Sequence, residues 1–209
     1  MKNEYFKNRF KFNNDRKAVW KALTEFFQNE IPANSTILEL GAGYCDFING
    51  INAKRKIAVD VIPDSKMYCN SDIEFICCNV LEISLVAESV DVVFASNFLE
   101  HFNDTELNLL FQNLTKIIKP SGKLILMQPN YFYAYREYWD DYTHKKAFSH
   151  FSICDFLQNN GFIIQKLYKR FIPFSFYSNL PKSYWLTKFY LMLPYKFFAK
   201  QMCVIALKK

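Results

Sequence analysis

The sequence lacks any apolar run close to the roughly 18 uncharged residues that a membrane-spanning helix requires. Residues 1–14 alternate polar and aromatic side chains and lack the apolar centre of a secretory signal peptide. The two signals that would direct a chain into or across a membrane are therefore missing, and we expect a cytoplasmic protein.

Metal-type cysteine spacing is also missing. The six cysteines form no Cys-x-x-Cys pair and have no Cys/His spacing suited to zinc. This pattern predicts no structural zinc site. It predicts that all six cysteines are reduced, buried thiols: Cys45, Cys69, Cys77, Cys78, Cys154 and Cys203.

Acidic residues are absent from the C-terminal part of the chain. From Gly161 to the end there are nine Lys or Arg and no Asp or Glu, which leaves 17 basic and 20 acidic side chains before it. The tail is also rich in aromatic residues between Phe171 and Phe198. Such a tail favours an anionic acceptor or a peripheral contact with an anionic membrane, and a merely solvated basic face is an equal alternative. We expect a small-molecule acceptor, possibly a glycan, and no nucleic acid; the oligomeric state is left open.

What the sequence does contain is a globular composition, with 51% hydrophobic and 22% charged residues in 209. That length suits one domain. We divide this single domain, 1–209, into an N-terminal helical segment (1–33), a cofactor-binding core (34–130) and an acceptor-side region with the last two strands (131–209). Apolar strands alternate with helices, which predicts an α/β fold with a mostly parallel sheet covered on both faces. Helices are expected at 15–29, 104–118 and 152–160, and strands at 36–40, 56–60, 73–77, 90–96, 123–128, 162–168 and 202–207.

A glycine turn and a carboxylate mark the predicted ligand edge of this sheet. Gly41-Ala-Gly43 directly follows the first strand, where glycines allow close approach of a ligand to the backbone. Asp60 ends the second strand, 17 residues after Gly43, where Rossmann proteins place the carboxylate that binds ribose hydroxyls. No Gly-Lys-Ser/Thr follows the turn, which excludes a P-loop.

Five segments in this order resemble class I S-adenosylmethionine-dependent methyltransferases over residues 33–130. They are Ile37-Leu-Glu-Leu-Gly-Ala-Gly-Tyr44, Asp60, Cys78-Asn-Val-Leu81, the stretch from Ser89 to Phe102, and Ile118-Lys-Pro-Ser-Gly-Lys-Leu-Ile-Leu126. The resemblance implies a Rossmann-like, doubly wound, seven-stranded sheet and S-adenosyl-L-methionine as cofactor. It implies cofactor contacts at Glu39, Gly41, Ala42, Gly43, Tyr44, Asp60, Val61, Asn79, Val80, Ser96, Asn97 and Phe98.

The chain departs from that family at two positions. Cys45 stands where a third glycine is usual, and Asn79 replaces an aspartate beside the adenine. An NAD enzyme is the nearest alternative with this fold, but Asp46 would repel a pyrophosphate. Acidic residues such as Glu39 and Asp46 instead suit the cationic sulfonium and ammonium groups of S-adenosylmethionine.

Two histidines are the candidate catalytic residues. His101 follows the fourth strand on the methyl side by resemblance, and His144 lies in the region where the family builds its acceptor site. Either is a candidate base or acceptor contact, and each has a purely structural alternative. The adjacent Asp140 and Asp141 favour a solvated or capping turn over a metal site, so no metal is predicted.

A looser resemblance concerns the acceptor. Tyr142-Thr-His-Lys-Lys-Ala-Phe-Ser149, Leu157, Gly161-Phe162 and Leu180-Pro-Lys-Ser-Tyr-Trp-Leu186 resemble a subgroup associated with bacterial surface-glycan biosynthesis. It implies methyl transfer to an oxygen of a saccharide, nucleotide-sugar or phosphorylated metabolite. A catalytically silent cofactor-binding subunit and an RNA or lipid methyltransferase stay open as alternatives, although the Asn/Asp-Pro-Pro-Tyr/Phe signature of amino-group methylation is absent.

Overall fold

A seven-stranded sheet organises the computed structural model, which describes residues 14–173 and 183–209. The strand order is β3-β2-β1-β4-β5-β7-β6, with β1 to β5 parallel and β7 antiparallel to both of its neighbours. The strands are β1 Thr36–Leu40, β2 Arg55–Asp60, β3 Ile73–Cys77, β4 Val90–Ser96, β5 Ile118–Pro129, β6 Phe162–Tyr168 and β7 Gln201–Lys208. This confirms the predicted α/β, Rossmann-like, mostly parallel sheet.

Helices cover both faces of the sheet, as the continuous apolar strands predict. They are α1 Asn14–Gln28, α2 Asp46–Gly50, α3 Asp104–Ile117, α4 Tyr131–Ala134, α5 Ser152–Asn159 and α6 Tyr184–Met192. On β4, Val92 and Phe94 point towards α1 and α2, whereas Val93 and Ala95 point towards α3 and α5. Successive side chains of a strand point to opposite faces, so the same strand supplies both cores.

Local sequence explains where the long helices begin and end. Asn103 and Glu106 form a capping box at the start of α3, with each side chain accepting from the other residue's backbone N–H. Leu107, Leu110 and Leu114 then form its buried stripe. The short helices α2 and α4 and the exposed helix α6 were not predicted.

Residues 119–122, which precede the predicted strand at 123–128, are part of strand β5 in the structure. The pairing of β5 with β4 shifts between Val90 and Val92, and Ser121 has a φ of 60°. The Pro-Ser-Gly sequence therefore makes a bulge inside a longer strand rather than a turn before a short one.

The cysteine prediction is wrong in two respects. Cys45 and Cys69 form a disulfide with a Cα–Cα distance of 5.5 Å, because the helical turn after β2 brings Cys69 beside the loop after β1. Among the remaining cysteines, Cys77 is exposed on the outermost strand β3, while Cys203 is buried in the central sheet.

The basic tail presents an apolar surface to solvent. Helix α6 contains no buried residue, and the chain after it continues with exposed aromatics. Within 14–173 and 183–209, no helix has the length and apolarity needed to cross a membrane. The part of the tail at 174–182, including Leu180-Pro-Lys182, lies outside the described residues.

Candidate active site

All twelve predicted cofactor residues lie at the carboxyl ends of β1 to β4 or in the loops that follow directly. These four strands are neighbours in the order β3-β2-β1-β4, so their ends form one continuous edge. In open α/β sheets this edge is where ligands bind. The topology thus brings together residues that the sequence spreads from 39 to 98.

The turn after β1 is held by the backbone and requires glycine. The N–H groups of Gly41 and Ala42 both donate to the Val59 carbonyl of β2, at 2.8 and 3.1 Å. Gly41 has a φ of 66°, and a Cβ placed there would lie 2.5 Å from Cδ2 of Phe98. The Phe98 ring therefore packs directly on the glycine backbone, and a side chain at position 41 would displace it.

Asp60 holds the glycine loop in place through its carboxylate. One oxygen accepts from the Gly43 N–H and the other from the Ile62 N–H, both at 2.8 Å. Burial raises the pKa of this carboxyl, against the opposing effect of those backbone donors. Each carboxylate oxygen has a further lone pair, which suits a ribose diol, and the neighbouring Val61 is exposed.

Two further carboxylates stand behind the loop. Glu39 is buried and accepts from the Ile48 N–H, and its desolvation raises the pKa well above the ordinary range. Asp46 is paired with Arg16 at 3.1 Å. The expected attraction of Asp46 for a cationic cofactor is therefore already met in part by the guanidinium of Arg16, which also lies 5.3 Å from the Tyr44 ring centroid.

Cys45 takes the conformation that the missing glycine would take. Its φ of 55° and ψ of 21° place it in the left-handed region before α2. That region favours glycine, so this substitution leaves the loop shape intact at a conformational cost. The disulfide to Cys69 ties this strained position to the segment after β2.

The remaining cofactor candidates line the two flanks of the edge. At the β3 end, Asn79 caps a short helical turn by accepting from the Leu81 N–H, and Val80 is buried. At the β4 end, Asn97 has a φ of 48° and donates from its side chain to Ser96. The arrangement fits S-adenosylmethionine, because a close-approach turn, a diol-binding carboxylate and buried acidic charge share one edge.

The two candidate catalytic histidines lie together in the structure. The ring centroids of His101 and His144 are 5.1 Å apart, although the residues come from different segments. His101 follows β4 directly, at the end of the short helical turn Leu99–His101. Its Nδ1 lies 3.0 Å from the Thr143 hydroxyl, which in turn donates to Asp141 at 2.6 Å.

His144 is oriented by a backbone carbonyl. Its Nδ1 lies 2.6 Å from the carbonyl oxygen of Tyr138, which requires Nδ1 to be the protonated nitrogen. Burial, followed by the nearby His144, lowers the pKa of His101. The pair is thus two oriented imidazoles beside the end of β4, at the position where the family resemblance predicts the methyl side of the cofactor.

Glu100 belongs to the same group and was not predicted. Its side chain is 1% exposed, and neither carboxylate oxygen has a hydrogen-bond partner among the described residues. Desolvation raises its pKa to about 8. The nearby backbone amides of Glu100 and Phe98 lower it only in part, and neither forms a hydrogen bond of normal geometry with the carboxylate. An acidic residue within the otherwise apolar Phe98–Phe102 stretch, directly before His101, was the available signal.

Other polar residues of the acceptor side act as structural anchors. Asp141 is buried and accepts from the N–H and the hydroxyl of Thr143, which makes a local turn within the loop that carries His144. The fully buried Asn130 binds the Lys169 carbonyl and the ring of His150, joining the end of β5 to the end of β6.

Comparison with known proteins agrees with this geometry. A family model described as "Methyltransferase domain" matches residues 38–126, from β1 into β5. A solved structure described as a SAM dependent methyltransferase from Archaeoglobus fulgidus has a TM-score of 0.65 and 20% identity, covering 90% of this chain and 94% of that one. At that identity the likeness shows the shared fold.

Two curated proteins are similar over shorter regions. Phosphoethanolamine N-methyltransferase 1 of Triticum aestivum is 33% identical over 108 residues, which cover 46% of this chain and 22% of that protein. Phosphoethanolamine N-methyltransferase of Plasmodium falciparum is 26% identical over 133 residues, covering 59% and 48%. The chain therefore spans less than half the length of either relative.

The family model covers residues 38–126, less than half of the 209, and the solved structure shows the shared fold. These similarities favour S-adenosylmethionine-dependent methyl transfer as the activity to test.

Proposed function

We propose that this protein transfers a methyl group from S-adenosylmethionine to a small polar acceptor, with an oxygen of a saccharide, nucleotide-sugar or phosphorylated metabolite in surface-glycan biosynthesis as the first candidate. The observation that carries the proposal is the pairing of His101 and His144 beside the end of β4, next to the predicted cofactor edge. Polar groups with fixed orientation at this position suit an acceptor whose proton must be removed.

The chain's own residues would divide the work between holding the cofactor and holding the acceptor. When bound, S-adenosylmethionine supplies an electrophilic methyl on its sulfonium. Asp60 and the Gly41–Gly43 backbone would hold the nucleoside, and Glu39 would favour the cationic end. His101 and His144 would orient the acceptor for in-line attack, since alignment is the main demand of this displacement.

Exposed aromatic side chains support a saccharide acceptor. Phe132, Tyr135, Trp139 and Tyr142 each remain more than half exposed in the segment that leads from β5 to His144. Several exposed aromatic side chains in one segment are typical of a binding surface, and flat apolar faces stack well on sugar rings. Arg136 is also part of this surface and could pair with a phosphate.

The test is calorimetric titration with S-adenosylhomocysteine, followed by methyl-transfer assays on an acceptor panel. The panel should hold free saccharides, nucleotide-sugars and phosphorylated metabolites, with methylated product detected by mass spectrometry. Methylation of a hydroxylated acceptor, lost in His144→Gln but kept in Lys54→Gln, would support the proposal. Cofactor binding with no product from any acceptor class would instead favour a catalytically silent partner subunit.

Phosphoethanolamine is the second candidate acceptor. It is favoured by the two similar proteins, both described as phosphoethanolamine N-methyltransferases, and it is itself a phosphorylated metabolite. The acid-free region from Gly161 onward would suit its phosphate. Placing phosphoethanolamine in the panel decides between nitrogen and oxygen as the methylated atom.

We also propose that the protein is cytoplasmic and that its tail can touch a membrane surface. Trp185, Phe189 and Met192 are exposed along α6, and Lys188 and Lys196 lie nearby. An amphipathic contact of this type depends on anionic lipid. Sedimentation with vesicles containing phosphatidylserine, reduced by Trp185→Ser and by added salt, would support it; equal sedimentation with neutral vesicles would not.

A further inference from the structure

Three side chains at the acceptor end of β4 form a group with metal-ligating chemistry. Glu100, His101 and His144 each offer one ligand atom, and these atoms all lie within 4.8 Å of one another. To bind one zinc ion at its usual ligand distance of roughly 2.0–2.2 Å, the three atoms would have to move closer together. The three residues come from two separate segments, so the fold rather than local sequence creates the group.

The state of Glu100 is the independent observation that points to a ligand. Its carboxylate is aimed into this group, is 1% exposed and has no hydrogen-bond partner among the described residues. A buried carboxyl group without a partner is either protonated or bound to a cation, because burying an unpaired charge is costly. Within 14–173 and 183–209, no Lys or Arg forms an ion pair with Glu100.

The hydrogen bonds of the two histidines prepare the same nitrogen on each ring. Nδ1 of His144 donates to the Tyr138 carbonyl. The Thr143 hydroxyl gives its proton to Asp141, so it accepts from Nδ1 of His101. Both rings therefore carry their lone pair on Nε2. A histidine whose second nitrogen donates to a carbonyl or a carboxylate-linked group is the usual outer-sphere arrangement at metal sites.

We propose that Glu100, His101 and His144 bind one divalent transition-metal ion, with Zn²⁺ as the first ion to test, and that the ion binds a hydroxyl of the methyl acceptor. Two imidazoles and one carboxylate are a known ligand set for Zn²⁺ and Fe²⁺ sites that keep open positions. Three protein ligands leave at least one position of a four-coordinate ion open to another ligand.

This assignment deepens the proposed function and rests on it for the acceptor. An acceptor hydroxyl bound to the ion would lose its proton to water more readily, because the cation stabilises the alkoxide. The alkoxide oxygen would then form a bond to the methyl carbon while the sulfur–carbon bond breaks and its electron pair stays on sulfur. The products are a methyl ether and S-adenosylhomocysteine. A hydroxylated acceptor able to chelate through two oxygens, such as a saccharide diol, fits best.

The test measures Zn²⁺ binding by the full chain directly, without any acceptor. The metal-stripped protein is titrated with Zn²⁺ by calorimetry, and bound zinc is counted by mass spectrometry after gel filtration. We expect one Zn²⁺ per chain, with at least a tenfold loss of affinity in Glu100→Gln and in His144→Gln. His150→Gln is the matched histidine control and Cys77→Ser the control for the exposed thiol; both should bind as the unmodified protein does.

S-adenosylhomocysteine binding, measured on every variant, separates the possible failures. A variant that loses zinc binding but keeps its affinity for S-adenosylhomocysteine is folded. Its loss of zinc binding can therefore be assigned to the changed residue of the metal site. Absence of stoichiometric Zn²⁺ binding by the unmodified chain, or retention in both ligand variants, would overturn the metal site and leave the methyltransferase proposal standing. Zinc binding without any S-adenosylhomocysteine binding would overturn the methyltransferase proposal instead.

Discussion

The cofactor edge and the acceptor side of this protein are built on different principles. At the cofactor edge, the decisive groups are backbone amides and a carboxylate at strand ends, fixed by the parallel sheet. On the acceptor side, Glu100 and His101 lie in the short helical turn after β4 and meet His144, which lies in the irregular segment before α5. The family match at 38–126 covers the first region and includes Glu100 and His101 but not His144. A fold can therefore specify a cofactor class while its acceptor chemistry is left to less regular parts of the chain.

The largest expected effect concerns Asp60. Asp60→Ala removes the acceptor of the Gly43 and Ile62 amides and the predicted ribose contact together. We expect S-adenosylhomocysteine affinity to fall by about 100-fold or more, equivalent to roughly 2.7 kcal/mol, as measured by calorimetry. The exposed Asp64→Ala is the control. A tenfold change or less would mean that the backbone alone defines the cofactor edge.

Alanine substitutions at Gly41 and Gly161 distinguish the effect of a steric clash from the effect of backbone strain. Both have positive φ, of 66° and 84°, but an added Cβ would strike Phe98 at position 41 and meet nothing within 4 Å at position 161. Each alanine substitution should lower the free energy of unfolding by about 1–2 kcal/mol through strain. Only Gly41→Ala should also weaken S-adenosylhomocysteine binding, by about tenfold or more. Equal affinities in the two variants would contradict the close packing of Phe98 on the loop.

Glu39 should make stability depend on pH. Its folded-state pKa is raised by burial, whereas the unfolded value is about 4.3. The folded state therefore binds the proton more tightly, and stability is lost as pH rises from about 4 through the raised pKa. At pH 8 we expect Glu39→Gln to raise the free energy of unfolding by about 1–3 kcal/mol relative to the unmodified protein, and therefore to unfold at a higher temperature. This difference should shrink towards pH 4.

The control for Glu39 is the exposed Glu74→Gln, whose pH profile should follow that of the unmodified protein. If Glu39 also favours the cofactor's cationic end, its glutamine variant will be more stable yet bind S-adenosylmethionine more weakly. If the difference in stability between Glu39→Gln and the unmodified protein is the same at pH 4 and at pH 8, the buried carboxyl does not titrate in this range.

The smallest expected effect is at the contact between α1 and α6. Glu25 accepts from the Tyr184 hydroxyl at 2.7 Å and pairs with Lys188 at 2.8 Å, but the group is exposed. Exposed ion pairs contribute about 0–1 kcal/mol. Glu25→Gln should therefore change the thermal unfolding temperature by a few degrees at most, less at high salt, and leave S-adenosylhomocysteine affinity unchanged. A large loss of affinity would tie the tail to the cofactor edge.

The regularity of each region decides how much could be predicted from sequence. The bounds of β1, β3, β4 and β6 agree with prediction because each is a short run of mostly apolar residues, buried in the inner strands β1 and β4 and partly exposed in the edge strands β3 and β6. Helix α6 was missed because it buries no residue and so shows no stripe. The Cys45–Cys69 bridge and the burial of Glu100 depend on which segments pack together, and no spacing rule reports that. The two histidines could be named, but their contact could not.

The antiparallel strand β7 has a consequence for how this protein could change over evolution. Tyr168 at the end of β6, Gln201 at the start of β7 and Pro129 at the end of β5 all lie at one edge of the sheet. The segment 169–200 thus departs from and returns to the same edge. Lengthening such an excursion costs little, about 0.6 kcal/mol for each doubling. This segment can therefore be replaced without changing the strands that flank it. Relatives could in this way acquire new acceptors while the hairpin β6–β7 and the predicted nucleoside-binding strands stay unchanged.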